Sequence, residues 1–263
     1  QFIFRKSFNF GVAYALVGTV LVVLVGHTQA QHMVAAQPMK MAAAEAHWNT
    51  ENPAAISVFT IGDEEKREDV FAIKIPGMLS FLAYNSFDGE VKGINDIQKE
   101  YEAKYGPGDY VPPVAISYWS FRIMVGSGML MLLLVGFAAF LVVKKRVEQS
   151  SRFLRILPWA IALPFIANTT GWLFTEVARQ PWIVFGLQRT EDGISKSVTA
   201  GEILFSLIVF TLLYTVILIA ALKLFTYYAK RGVEETKKDE TDETDDEGGS
   251  LLDEDTAIEN AKA

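Results

Sequence analysis

Four long, predominantly apolar runs, at about Phe8–Val25, Val114–Val143, Ile156–Val177 and Ile203–Leu222, constrain what this chain can fold into. Each is long enough, as a helix, to cross a hydrocarbon core of ~30 Å. Backbone in lipid must satisfy its own hydrogen bonds, and a helix does so within one segment. The expected fold is an all-α membrane protein of four transmembrane helices, with a long loop between the first two and an acidic, disordered C-terminal tail. The expected divisions are a first helix over 1–27, the loop over 28–112, a three-helix membrane region over 113–231 and the tail over 232–263.

Charge supports that division. The net charge is −7, yet residues 234–263 hold thirteen Asp or Glu against three Lys, so the remainder is weakly basic. A like-charged run without apolar periodicity reads as disordered. Nothing in this balance suggests nucleic acid as a partner, whereas the apolar runs require membrane lipid. The chain has no cysteine, which excludes disulfides and thiolate metal sites within it, and its three histidines speak against a self-contained histidine-rich centre. It opens at Gln1 without an initiating Met or a cleavable leader, as a chain beginning in the middle of something larger would.

The third run ends in Gly171–Trp182, GWLFTEVARQPW, where ionisable groups close an otherwise apolar helix. Such groups in a span are costly and usually functional. On a 3.6-residue period Thr169, Trp172, Glu176, Arg179 and Gln180 share one face. Pro181 biases Gln180 away from helical angles, so the helix should stop there. A carboxylate, a guanidinium, an amide and an indole converge on one spot, either a binding site or an interface cap.

In the second run, SYWSFRIMVGSG, the helical neighbours of Met124 are Ser117, Ser120, Phe121, Ser127 and Gly128. Two readings stand together: small residues let another helix approach closely, or they let a planar macrocycle lie against the backbone with the thioether reaching its metal. Arg122, a turn or two inside the span, needs an anion, a carbonyl or a snorkelling route, and a buried carboxylate on a cofactor would serve. His27, at the exit of the first run, is a hydrated interfacial histidine or a metal ligand.

The 28–112 segment carries thirteen acids and seven bases, and a connection this long is functional or contains structure of its own. Its Gln37–Trp48 stretch, QPMKMAAAEAHW, is helix-prone, with Pro38 suited to a first turn. Lys40 and Glu45 would point about 140° apart on a regular helix, so they need not pair. Val70–Pro76 alternates in part like a strand. Thr199 and Glu202 form a capping box for the last span. Arg5 and Lys6, the 144–155 basic cluster and Lys223–Arg231 fall on one side of a four-span chain. The positive-inside rule then puts both termini in the cytoplasm and the long loop outside, together with the end of GWLFTEVARQPW.

GWLFTEVARQPW resembles the GWxxxExGRQPW signature of the large subunit of cytochrome bd quinol oxidase. SFRIM and QPMKMAAAE are similar to two more of its motifs, in the same order, and the resemblance runs from Phe8 to about Arg231. It implies that Met124 is the axial ligand of a low-spin haem b and Glu176 the ligand of a high-spin haem b. It makes Arg122 and Arg179 partners of haem propionates, puts Trp172 on the electron path, and sets Lys40 and Glu45 at the quinol site of a short-form quinol-binding loop. It further implies a haem d, ligated mainly from elsewhere, and a bacterial or archaeal cytoplasmic membrane location. The implied reaction oxidises quinol outside and reduces dioxygen to water, contributing to the proton gradient.

Two departures accompany the resemblance. The family's Gly before the Arg is Ala178 here, a mild change if that residue is helical and a harder one at positive φ. The family's large subunit has about nine spans, and the first five, which carry the histidine opposing Met124 and the haem d ligand, have no counterpart, so this chain resembles the C-terminal half. The expected partners are that N-terminal half, a second oxidase subunit and, in some assemblies, a small single-helix subunit. Two other readings are a truncated or degenerate paralogue acting as a non-catalytic structural or assembly subunit, and a small transporter or channel with Arg122 and Glu176 in a polar path.

Overall fold

The computed structural model describes residues 2–195 and 197–260, with side chains described for 3–195 and 197–231. The chain divides into two compact units, 1–194 and 195–263.

In the first unit α1 (Phe2–Ala36) continues well past His27, where the first helix was expected to end. The reason is local: no proline interrupts the chain between Gln1 and Pro38, so Thr28–Ala36 simply propagates the helix. Pro38 then opens α2 (Pro38–Glu45), which ends on Ala46 at φ 47°, ψ 43°. Two strands follow, β1 (Ile56–Asp63) and β2 (Glu68–Ile75), paired as an antiparallel hairpin. Helices α3 (Met78–Tyr84) and α4 (Ile94–Tyr105) complete the segment before α5 (Val114–Val143).

The second span keeps the expected bounds. The third, Ser151–Val177, is broken where Pro158 removes a backbone donor: α6 (Ser151–Ile156) passes through a 3-10 turn over Leu157–Ile161 into α7 (Ala162–Val177). A small hairpin of β3 (Trp182–Val184) and β4 (Gln188–Arg189) follows, turning at Gly186 with φ 72°, a conformation L side chains rarely adopt. The membrane-crossing elements are thus helical as expected, while the connecting segments add two small sheets that an all-α description leaves out.

Four helices are long and apolar enough to cross a membrane, and the molecule is a multi-pass membrane protein. The longest mutual packing within the first unit joins α5 to α7, with α1 also against α5. The connecting segment builds a core of its own around α2. Ala42 and Ala43 are buried in one cluster with Trp48, Ile94 and Ile97, while Ala44 is buried against Phe174 and Ala178. Small side chains let α2 lie close to α1, α4 and α5 at once.

In the second unit α8 (Ala200–Asn260) begins at the expected capping box. Thr199 N donates to Glu202 Oε2 at 2.8 Å, and Glu202 N donates to Thr199 Oγ1 at 3.4 Å. The backbone of α8 runs as helix to Asn260 through most of the 232–263 tail that was expected to be disordered, and the tail's side chains lie outside the described residues.

Candidate functional site

The structure brings the end of α7 against the start of α2. Glu176 and Arg179 form an ion pair across one turn, although α7 has ended at Val177, earlier than the Gln180 expected from Pro181. Gln180 stays in reach, donating from Nε2 to the Glu176 carbonyl at 3.5 Å. Ala178 has φ −72°, ψ −4°, so alanine in place of the family's glycine is unstrained. Trp172 projects outward from α7 and is 64% exposed.

Lys40 arrives from α2. Its ammonium donates to the Thr175 carbonyl at 3.3 Å and lies 5.2 Å from the centre of the Phe174 ring. Burial lowers the Lys40 pKa, the Arg179 charge lowers it further, and Glu176 opposes both. A narrow cleft runs beside this group between Gln37, Lys40, Arg179, Gln180 and Trp182. Two donors in its walls, Arg179 Nε and Trp182 Nε1, are buried without a hydrogen-bond partner. A cation, a half-neutralised guanidinium and an orphaned indole N–H make a place for an acceptor, best an anionic one.

Glu45 does not join Lys40. It is 2% exposed and turns to Arg122 of α5, which donates from Nη1 to Glu45 Oε1 at 3.2 Å and from Nη2 to Oε2. Arg122 also donates from Nε to the Ser57 carbonyl at 3.1 Å and lies over the Tyr118 ring. An anion for Arg122 is therefore at hand within this chain, together with a backbone carbonyl. Burial pushes the Glu45 carboxyl above its ordinary value, against the pull of Arg122.

Met124 lies on the α5 face turned to α7. A Cβ built on Gly171 would sit 2.8 Å from its sulfur, so glycine at 171 is what admits the thioether there. Of the small-residue stripe around it, Ser117, Ser120 and Ser127 are buried, and Phe121 meets Phe174 with ring centres 5.0 Å apart. Part of the stripe is thus packed against neighbouring helices. A Cβ at Gly128 would meet nothing within 4 Å.

Three participants escape a pattern search. Trp182 stands within the quoted motif, but its role emerges only where Tyr110 stacks on it at 5.7 Å and 17°. Ser57 contributes through its carbonyl, which no side-chain pattern signals. His47 is buried, with Nε2 3.1 Å from the Val91 carbonyl, and burial lowers its pKa. His27 instead contacts Asn85, Nε2 to Oδ1 at 2.7 Å. Among the described residues no group of three His, Cys, Asp or Glu gathers to hold a metal ion.

Residues 1–233 match the family described as cytochrome bd terminal oxidase subunit I. The chain is similar to "Cytochrome bd ubiquinol oxidase subunit 1" of Bacillus subtilis (strain 168), at 44% identity over 232 residues, covering 88% of this chain and 50% of that one. It is also similar to "Cytochrome bd-II ubiquinol oxidase subunit 1" of Escherichia coli (strain K12), at 29% identity over 284 residues, covering 86% and 55%. Among solved structures, the bd oxidase from Geobacillus thermodenitrificans matches with TM-score 0.69 and 31% identity, over 87% of this chain and 50% of that chain. The chain spans about half the length of the relatives it matches.

Proposed function

The chain belongs to the cytochrome bd terminal oxidase subunit I family, and from that premise we propose that it forms part of a membrane oxidase that takes electrons from quinol and passes them to dioxygen. The observation that carries this reading is the pair of orphaned donors, Arg179 Nε and Trp182 Nε1, beside Glu176 and Lys40. A porphyrin brings carboxylates that would satisfy them, and the Glu176 carboxylate, only half-buried, is open to a metal.

The residues fit such a group. Glu176 would hold the iron of a high-spin haem b, and Arg179 would meet its propionate. Met124, kept in place by Gly171, would hold the iron of a low-spin haem b, with Trp172 on the path between the centres. Arg122, already satisfied by Glu45 and Ser57, would act on a propionate only across that pair. When bound, the haems, with a haem d ligated mainly from outside residues 1–263, supply the one-electron chemistry. A thioether ligand suits an electron-transfer haem, and a weak carboxylate ligand a high-spin iron.

The chain's own part at the quinol end falls to α2. Lys40, disfavoured as a cation by burial and by Arg179, gains most from an acceptor oxygen nearby. Glu45 has its proton affinity raised by burial and restrained by Arg122, which suits a group that takes a proton from quinol. In this reading the basic ends of the spans and both termini lie in the cytoplasm, and α2 with the end of α7 lies outside. The partners are a polypeptide carrying the N-terminal half and its ligands, a second oxidase subunit and, in some assemblies, a small single-helix subunit.

Reduced-minus-oxidised difference spectra of the purified assembly test this. Met124→Leu should abolish the low-spin b band and Glu176→Ala the high-spin b band. Unchanged bands and oxidase activity in both variants would overturn the proposal and favour a structural or assembly subunit. Ion flux without haem would favour a channel.

A further inference from the structure

The β1–β2 hairpin is built the wrong way round for water. Its cross-strand neighbours Phe59 with Ile73, and Ile61 with Phe71, put four large apolar side chains on one face, each 38–53% exposed. Its other face is small and polar and turns inward. Ser57 and Thr60 are buried there, Thr60 Oγ1 and Trp48 Nε1 each donate to Asp69 Oδ1 at 3.0 Å, and Lys74 pairs with Asp69 at 2.8 Å. A half-buried hairpin in water shows the reverse alternation.

The hairpin's position supplies the reason. At its tip the Glu64 carboxylate accepts from Ala115 N at 2.6 Å, in the first turn of the second span. Further along, the Phe59 ring meets Trp119 at 5.2 Å, and Tyr118 Oη donates to the Ser57 carbonyl at 3.1 Å. The strands therefore run down beside the first turns of α5, from the acidic tip at Asp63–Glu65 toward the level of Arg122. On that same side α5 exposes Ile116, Trp119 and Ile123, at i, i+3 and i+7. The apolar face of the hairpin continues this stripe.

We infer that the hairpin lies in the interfacial layer of the bilayer, with Phe59, Ile61, Phe71 and Ile73 against lipid acyl chains and the acidic tip in water. Beside it on α5 stand Tyr118 and Trp119, the amphipathic rings that concentrate at membrane boundaries. The inference rests on the membrane spans and stands apart from the proposed oxidase chemistry. The region 28–112 is then an outer domain partly sunk in lipid rather than a loop held wholly in water.

Because the chain has no cysteine, single spin labels report cleanly. Labels at Phe71→Cys and Ile73→Cys, in the full chain in liposomes, should show the oxygen-over-nickel-chelate collision preference of a label at Ile123→Cys. A label at Glu65→Cys should show the opposite preference. Nickel-chelate accessibility at 71 and 73 equal to that at 65 would overturn the inference, as would exclusion of both reagents, which would mean a protein cover. In the unmodified chain, photoactivatable phospholipid should crosslink to residues 56–75, and absence of such crosslinks would equally overturn it.

Discussion

Arg122, inside the second span, meets the Glu45 carboxylate at the end of α2, so one buried ion pair joins the membrane helix to the connecting segment. The guanidinium is held on two sides, by Glu45 and by the Ser57 carbonyl of β1. Removing one partner of such a pair strands the other charge, whereas removing both need not. Glu45→Ala should therefore lower stability by about 3–5 kcal/mol. Glu45→Met with Arg122→Met should cost far less than the sum of the single changes, because Tyr118 still donates to Ser57. Thermal unfolding of the four proteins in detergent measures the coupling, and additive effects would refute it.

Lys40 gives a pH dependence with a defined sign. Its folded pKa is depressed, by burial first and by Arg179 second, so the unfolded chain holds this proton more tightly. Stability should rise with pH from the depressed folded value up to about 10.4, the ordinary lysine value, and level off above it. Lys40→Met should flatten that rise and stabilise the protein at neutral pH. Unfolding midpoints of both proteins across that alkaline window provide the check. A steeper slope in Lys40→Met would contradict the assignment.

Much of this was legible in the sequence. The four spans, the Thr199–Glu202 capping box and the meeting of Glu176 with Arg179 follow from hydropathy and helical spacing. The family resemblance drawn from three motifs is borne out by the match over residues 1–233. What escaped reading depends on tertiary neighbours. Helical spacing showed that Lys40 and Glu45 diverge, but not that Arg122, 77 residues after Glu45, takes the carboxylate. Hydropathy falls at His27, while helix continuity depends on backbone and reaches Ala36. Of the hairpin only the second strand shows, in the partly alternating Val70–Pro76, because apolar residues on β1 blur the period-2 signal, and the lipid-side exposure depends on α5.

Gly171 and Met124 form a second testable pair. An alanine Cβ would stand 2.8 Å from the sulfur, too close to be tolerated without movement. The sulfur is near the end of a flexible side chain, so the cost should be modest, about 1–3 kcal/mol as for other overpacked sites. Gly171→Ala combined with Met124→Ala should recover most of the clash, leaving only the loss of the thioether. A double-mutant cycle on unfolding midpoints reads this, and a Gly171→Ala penalty unchanged by trimming Met124 would place the contact elsewhere.

Gly93 carries the sharpest stability prediction, because what its side chain would meet is backbone. A Cβ there would lie 2.3 Å from the carbonyl carbon of Asn49 and 2.5 Å from its Cα. That backbone cannot retreat. The 47–50 segment receives Ile94 N at the His47 carbonyl, 2.8 Å, and Asn95 N at the Trp48 carbonyl, 3.0 Å, while Gly93 N donates to Thr50 Oγ1 at 3.0 Å. These bonds satisfy the opening donors of α4, which has no side-chain cap of its own. Gly93 has an extended backbone, φ −88°, ψ 162°, so its requirement is space alone. Gly93→Ala should cost about 3 kcal/mol or more, the upper end for overpacking, and should loosen α4 from Trp48. Gly126→Ala, where a Cβ meets nothing within 4 Å, should instead be neutral or stabilise by up to about 1 kcal/mol. Midpoints measured side by side decide it, since equal effects at the two positions would mean that the Asn49 contact does not hold the segment together.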